Sequence, residues 1–279
     1  MKTIKTILIL CVALCFVPSC KKDVDMTLVQ KNVLENADIR QIEVSDAWEV
    51  TVVADSNTYV ELEYSAYLEE HLSAAMDNNK LRISFKGSVY PEMGSVYRAT
   101  VHTAHFHSIE ALEASVVDFE GAFYSDFDTL NIVLKDASQC NGLHISGKYN
   151  YISLEDASTF AEFQVEGTNN SVTVKDASVC KGSFDTRFHF VASLSDQAQL
   201  VTFDGTAPYG MIKLQNDCIL NMAQTEIEEM QVDLSGASVA TVHVTHQMAG
   251  TLTEASTLYY KGHAEMEVNC SEDSQLIPL

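Results

Sequence analysis

The chain is expected to fold as an all-β parallel β-helix, or solenoid, with coils of about 20 residues, and three observations carry that expectation. A short phrase recurs as LKDASQC, LEDASTF, VKDASVC, LSDQAQL, LQNDCIL, LSGASVA, LTEASTL and, more loosely, CSEDSQL. Its third position falls at Asp136, Asp156, Asp176, Asp196, Asn216, Gly236, Glu254 and Glu272, in steps of 20, 20, 20, 20, 20, 18 and 18 residues. A fixed period in that range marks one supersecondary unit stacked on the next. Overlaying the coils then gives columns that carry no charge. The position two before the acid is Leu134, Leu154, Val174, Leu194, Leu214, Leu234, Leu252 and Cys270. The positions four before it (Ile132 to Val268) and four after it (Cys140 to Leu276) behave alike. Finally, Lys135, Glu155 and Lys175 share one outward column, so opposite charges would stack on neighbouring rungs.

Taken in order, residues 1–19 read as an export leader, with Lys2 and Lys5 before the apolar run ILILCVALCFV. The run is too short for a retained membrane span. Val17-Pro18-Ser19-Cys20 resembles a bacterial lipobox, which makes Cys20 the lipidation site and a lipid at Cys20 the contact with the membrane. A plain leader with an incidental cysteine is the alternative. Lys21-Lys22-Asp23-Val24-Asp25 resembles the tag of surface-displayed lipoproteins in some Gram-negative bacteria, so outer-membrane anchoring is expected, facing the outside or the periplasm. Residues 20–38 are read as a lipidated tether.

Residues 39–108 are read as a β-rich opening of the solenoid domain, and 109–279 as its repeats. Ile42, Val44, Val50 and Val52 alternate, as do Val60, Leu62 and Tyr64. One short helix is predicted around Ala66 to Met76 from the spacing of Leu68, Leu72 and Ala75. After Asn78-Asn79 a strand follows with Leu81, Ile83 and Phe85 inward. Glu113-Ala114-Ser115 opens the first, irregular coil.

At the acid column strict alternation would bury a stack of carboxylates at a cost of many kcal/mol, so the chain must turn a corner there. Asp, Asn and Gly tolerate a left-handed backbone, whereas Glu254 and Glu272 fit it less well. The small residues two positions later, Ser138 to Ser274, sit just inside the bend. A right-handed path is favoured for parallel crossovers.

Chemistry is harder to read. Loss of Lys2 and Lys5 with the leader takes the net charge from −22 to −24, which argues against nucleic acid as a partner. The ladder of Asp136, Asp156, Asp176 and Asp196 would either hold a cation such as calcium or stand solvated at the corners, the second being favoured. No resident metal or cofactor is expected. His105 and His107 lack a third ligand. Cys140, Cys180 and Cys270 lie in inward columns and are expected to be buried thiols; Cys140 and Cys180 stand two rungs apart, about 9.6 Å, beyond disulfide reach. Tyr149, Tyr151, Tyr209 and Tyr259 lie outside the core columns and would either stack on sugars or pack beneath loops.

The layout resembles the bacterial β-solenoid domains known as autotransporter adhesins, or head GIN domains. The likeness runs from Ile39 to His263, through IRQIEVSDAWEVTVVADSNTYVELEY, KLRISFKG and corners of the type LSGASVA at Leu234 to Ala240. It implies an exported, often lipid-anchored β-helix and brings no catalytic residues. The expected function is therefore a structural or adhesive surface protein rather than an enzyme. Carbohydrate binding is the first alternative and a lyase acting on polysaccharides through a base such as Arg187 a distant third. The oligomeric state and the identity of any surface or glycan partner are left open.

Overall fold

The computed structural model describes residues 24–124 and 127–279; the stretch expected to be an export leader and Cys20, the expected lipidation site, lie outside the described residues. The described chain forms a β-solenoid of about eight turns with coils of roughly 20 residues, as the repeat period requires. The first face of each coil is the strand that approaches the corner. Thr129–Leu134 pairs in parallel with 149–154, which pairs with 169–174, and the register Ile132, Ile152, Val172, Ala192, Ile212, Val232 continues to Gly250 and Val268. The second face follows the corner, with Cys140, Phe160, Cys180, Leu200, Leu220, Ala240, Leu258 and Leu276 in register. A third face, as in 144–147 paired with 164–167, closes the coil.

The corners are pairs of left-handed residues. Asp136 and Ala137 have φ of 56° and 61°, and the same holds from Asp46-Ala47 to Glu254-Ala255. Where the turn closes, the Ser138 N–H donates to the Lys135 carbonyl at 3.2 Å and Ser178 to Lys175 at 3.0 Å. From Ala47 to Ala237 the second left-handed residue of a corner donates its N–H to the carbonyl of the corner residue one rung on, as in Ala137 to Asp156, Ala157 to Asp176 and Ala177 to Asp196, at 2.8–2.9 Å. That ladder explains why Ala, an unfavourable left-handed residue, is tolerated: the extra rung hydrogen bond offsets the backbone strain. Glu254 (φ 55°) also adopts the conformation, contrary to the reservation its type invites.

The opening segment is more solenoid than expected, and its rungs are stacked out of chain order. Gln41–Val44 lies between Lys80–Phe85 and Ser108–Ala111, parallel to both. Glu49–Ala54 lies likewise between Tyr97–Thr103 and Val116–Glu120. Between them Asp46-Ala47 is a corner of the same kind, in the phrase VSDAWEV. Trp48 takes the place of the small corner residue and packs, fully buried, against Phe85 and Tyr97 with ring centroids 5.7 and 5.8 Å away. Antiparallel strands then close this end. Tyr59–Ser65 pairs antiparallel with Tyr97–Thr103 on one side and with Leu28–Val33 on the other. Leu72–Asp77 pairs antiparallel with Lys80–Phe85.

Three expectations are corrected here. The predicted helix over Ala66 to Met76 is a 3-10 helix over Ala66–His71 only, and Leu72–Asp77 is strand. The left-handed Asn78 (φ 55°) turns that strand back onto Lys80–Phe85, and sheet pairing overrides the helical spacing. The stretch read as a tether contributes the strand Leu28–Val33. Cys270 is exposed, because the rung Glu265–Cys270 is the last on its face and nothing among the described residues covers it.

A run of buried aromatic rings crosses the interior from the second face to the first. Phe160 stacks on Phe163 (4.1 Å between centroids), which meets Phe184 (4.9 Å), which meets Phe190 (5.1 Å). The 18-residue steps leave the corner and first face untouched. The shortening falls between Met222 and Glu229: the offset to the next coil drops from 20 to 17 residues between Met222 and Glu226 and returns to 18 between Ile227 and Glu229.

Candidate functional site

Outward side chains on the first face stand in columns set by the same register. One column reads Thr129, Tyr149, Asn169, His189, Tyr209, Glu229, Gln247. The next reads Asn131, Tyr151, Ser171, Val191, Met211, Gln231, Ala249. Between the upper halves of these columns lies a groove of about 350 Å³ that crosses four rungs. Its lower part is apolar: Tyr209 and Met211 are 41% and 54% exposed, on adjacent outward positions of one strand. Its upper part is lined by Glu229, Gln231 and Gln247.

The aromatic wall is braced. Phe188 meets Tyr209 edge-on with centroids 5.5 Å apart, and His189 lies 5.5 Å from the same ring. The His189 Nδ1 is 3.1 Å from Asn169 Oδ1, one rung below. Overlaying the outward columns, rather than the inward ones alone, would have brought this cluster together from sequence.

Of the four tyrosines singled out, the structure brings only Tyr209 into the groove. Tyr149 shares its column and is half-buried, with the Lys148 ammonium 5.2 Å from its ring. Tyr151, 49% exposed, stands three rungs below Met211 in the neighbouring column. Tyr259 belongs to the second face, opposite Thr241 and Ile277, and is half-buried.

The corner acids Asp136, Asp156, Asp176 and Asp196 do form a ladder, all exposed. Among the described residues no three His, Cys, Asp or Glu side chains converge to hold a metal ion. Asn216 instead donates from Nδ2 to Asp196 Oδ1 at 2.9 Å. In the adjacent column Glu155 accepts from both Lys135 and Lys175 at 3.2 Å, the alternation expected from sequence, and these two ammonium groups hold its carboxyl below the ordinary glutamate range. Arg187 lines a separate polar hollow of about 260 Å³ with Lys148, Glu166 and Asp185. His102 is engaged by Asp55 (3.3 Å) and stacked on Tyr59 (4.1 Å between centroids).

A feature not anticipated is a buried asparagine ladder. Asn150 and Asn170 are 0% and 1% exposed, and Asn150 Nδ2 donates to Asn170 Oδ1 at 2.7 Å. Asn170 Nδ2 in turn donates to Thr186 Oγ1 at 2.7 Å. They occupy the inward column six before the corner, with Leu130 and Phe190 as neighbours, and the 20-residue spacing of the two asparagines was the available signal.

These observations define a class: a β-solenoid whose chemistry is carried by outward columns of side chains on a repetitive scaffold. Residues 38–264 match the family described as "Putative auto-transporter adhesin, head GIN domain", and the chain belongs to that family. The fold is shared with a crystal structure described as a "putative adhesin" from Parabacteroides distasonis (TM-score 0.70, 12% identity, covering 91% of this chain and 98% of that one). A "putative adhesin" from Parabacteroides merdae is similar (TM-score 0.61, 14% identity, 92% and 98% covered). So is a "Putative lipid binding protein" from Parabacteroides distasonis (TM-score 0.64, 10% identity, 92% and 98% covered). No curated protein matches. At these identities the likeness establishes fold, and function has to be argued from the site.

Proposed function

We propose that the protein is a structural or adhesive scaffold of the cell envelope, anchored in the outer membrane through a lipid on Cys20 and carrying its solenoid outward. The observation that carries this reading is the exposed set of large apolar side chains on the first face: Tyr151, Tyr209 and Met211 are 41–54% exposed on a backbone paired on both sides, and Phe188, 49% exposed, sits in the bulge beside Tyr209. An apolar strip kept in water on a rigid frame is the property of a contact surface rather than of packing. Family membership and the lipobox-like Val17-Pro18-Ser19-Cys20 support it.

The test is protease shaving of intact cells, combined with labelling by a fatty-acid analogue. The solenoid should be digested on whole cells, and the lipid label should vanish in Cys20→Ser while the protein is still made. Protection from protease on intact cells would place it facing the periplasm and remove the adhesive reading. A second reading, carbohydrate binding, is favoured by the groove beside Tyr209, where an aromatic ring adjoins amide and carboxylate groups.

A further inference from the structure

We infer that the groove beside Tyr209 binds an uncharged oligosaccharide chain laid along the solenoid axis. The inference rests on the contact-surface reading above and names the ligand class for that same face. A sugar ring presents C–H groups on its faces and hydroxyls around its rim, so a site for it needs an apolar platform beside groups that can both donate and accept. The groove supplies these in sequence along the axis. Tyr209 is an exposed ring that Phe188 and His189 buttress, with centroids 5.5 Å away in each case. An aromatic fixed by its neighbours offers contact area with little ordering cost on binding. Met211, in the neighbouring column of the same strand, extends the platform with a polarizable thioether.

One rung further the same two columns become Glu229 and Gln231, and the next rung brings Gln247 with the small Ala249. Amides donate and accept, and a carboxylate accepts, which together satisfy hydroxyls in either role. The register repeats these groups at about 4.8 Å along the axis, so a chain lying on the platform meets a polar group at each rung.

Charge selects among glycans. The carboxylate of Glu229 lines the groove, and the chain carries a net charge of −22. Uronates, sulfated sugars and sialylated chains would approach against that field. An acyl chain is a poor occupant of an open groove whose upper half is amide and carboxylate, because those groups would lose their water without gaining partners.

The experiment is saturation-transfer NMR and calorimetry on the full chain with neutral pentasaccharides (xylan, mannan, cellulose and chitin fragments) and, as anionic probes, polygalacturonate and heparin fragments. At least one neutral fragment should bind, the anionic probes should not, and Tyr209→Ala should weaken binding about tenfold or more. Gln231→Leu should weaken it as well. Tyr259→Ala, on the second face, is the control: its affinity should equal that of the parent. Tyr209→Ala removes ring contacts with Phe188 and His189, so its thermal transition should shift by only a few degrees and stay cooperative, which separates lost binding from lost fold. The inference is overturned if no neutral fragment binds, if only anionic probes or an extended peptide bind, or if Tyr209→Ala and Tyr259→Ala behave alike. Shaving decides the scaffold reading independently, since exposure on cells without binding of any fragment would remove the glycan ligand alone.

Discussion

Single side chains inside the solenoid differ sharply in what they contribute, even within one column. Ser178 Oγ accepts the Ser158 N–H at 3.0 Å in a fully buried setting, so Ser178→Ala strands a buried donor and should cost about 1–3 kcal/mol. Ser138 occupies the equivalent place two rungs earlier, but its buried Oγ has no hydrogen-bond partner. Ser138→Ala should therefore leave stability unchanged or raise it by up to about 1 kcal/mol, as urea denaturation of the two variants would reveal. The thiols divide in the same way. Burial pushes the Cys140 and Cys180 thiols well above their usual range and raises Cys218, whose Sγ also donates to the Gln215 carbonyl at 3.0 Å. A maleimide should label Cys270 in the native protein and reach the other three only after unfolding; rapid native labelling of Cys140 would mean that the core opens. Gly250 is constrained by geometry rather than by hydrogen bonding. Its φ is +145°, and an added Cβ would stand 1.7 Å from the Val232 carbonyl oxygen, so Gly250→Ala should be among the most damaging small changes in the chain.

Corners are where the sequence pattern meets backbone strain. Asp156 holds φ at 57°, and the carboxylates of Asp136 and Asp176 stand one rung away on either side. Each such pair repels by about 1 kcal/mol in water at the rung spacing. Asp156→Asn keeps tolerance for the left-handed conformation and removes the repulsion, and Asn216 already donates to Asp196 at 2.9 Å in the way the new amide would. The variant should be more stable by up to about 1 kcal/mol at low salt, with the gain shrinking as salt rises, whereas Asp156→Val should destabilise through its β-branch. Beside this column Glu155 couples the rungs to pH. Its folded pKa is depressed by Lys135 and Lys175, so its contribution is complete above the unfolded value and is lost as pH falls through the folded one. Melting temperature followed from neutral pH into the acid range should fall less steeply for Glu155→Gln than for the parent. The first left-handed residue was legible from its Asp, Asn or Gly identity at every such corner except those opened by Glu113 and Glu254. The second, Ala at all corners but those of Gln197 and Asp217, was not, because Ala carries no signal for that conformation and the hydrogen bond to the next rung is what makes it acceptable.

At the scale of the whole molecule, the period alone was enough to place the inward columns, because side chains one coil apart lie over one another and a buried column cannot carry charge. What it concealed were departures from stacking in chain order. The coil around Asp46 escaped notice because Trp48 replaces the small corner residue, and the asparagine ladder because polar residues were not sought among inward positions. The groove needed outward columns from four coils to be overlaid. Stacked rungs also predict an uneven distribution of stability, since each rung is held by its neighbours and the ends differ. Antiparallel strands close the end beyond Lys80–Phe85 and Tyr97–Thr103. At the other end Glu265–Cys270 and Gln275–Pro278 each pair with one strand, and Val268 and Leu276 are only half-buried, whereas Val232 and Leu258 in the same columns are fully buried. Leu154→Ala, in a fully buried column with rungs on both sides, should cost about 2–5 kcal/mol, whereas Val268→Ala should cost well under half of that. Hydrogen exchange should follow the same gradient, fastest in 265–278 and slowest through the rungs around Leu154 and Val174. Equal protection at both ends would mean that the last rung is covered in solution by another chain, and the cost of Val268→Ala would then rise to match the interior.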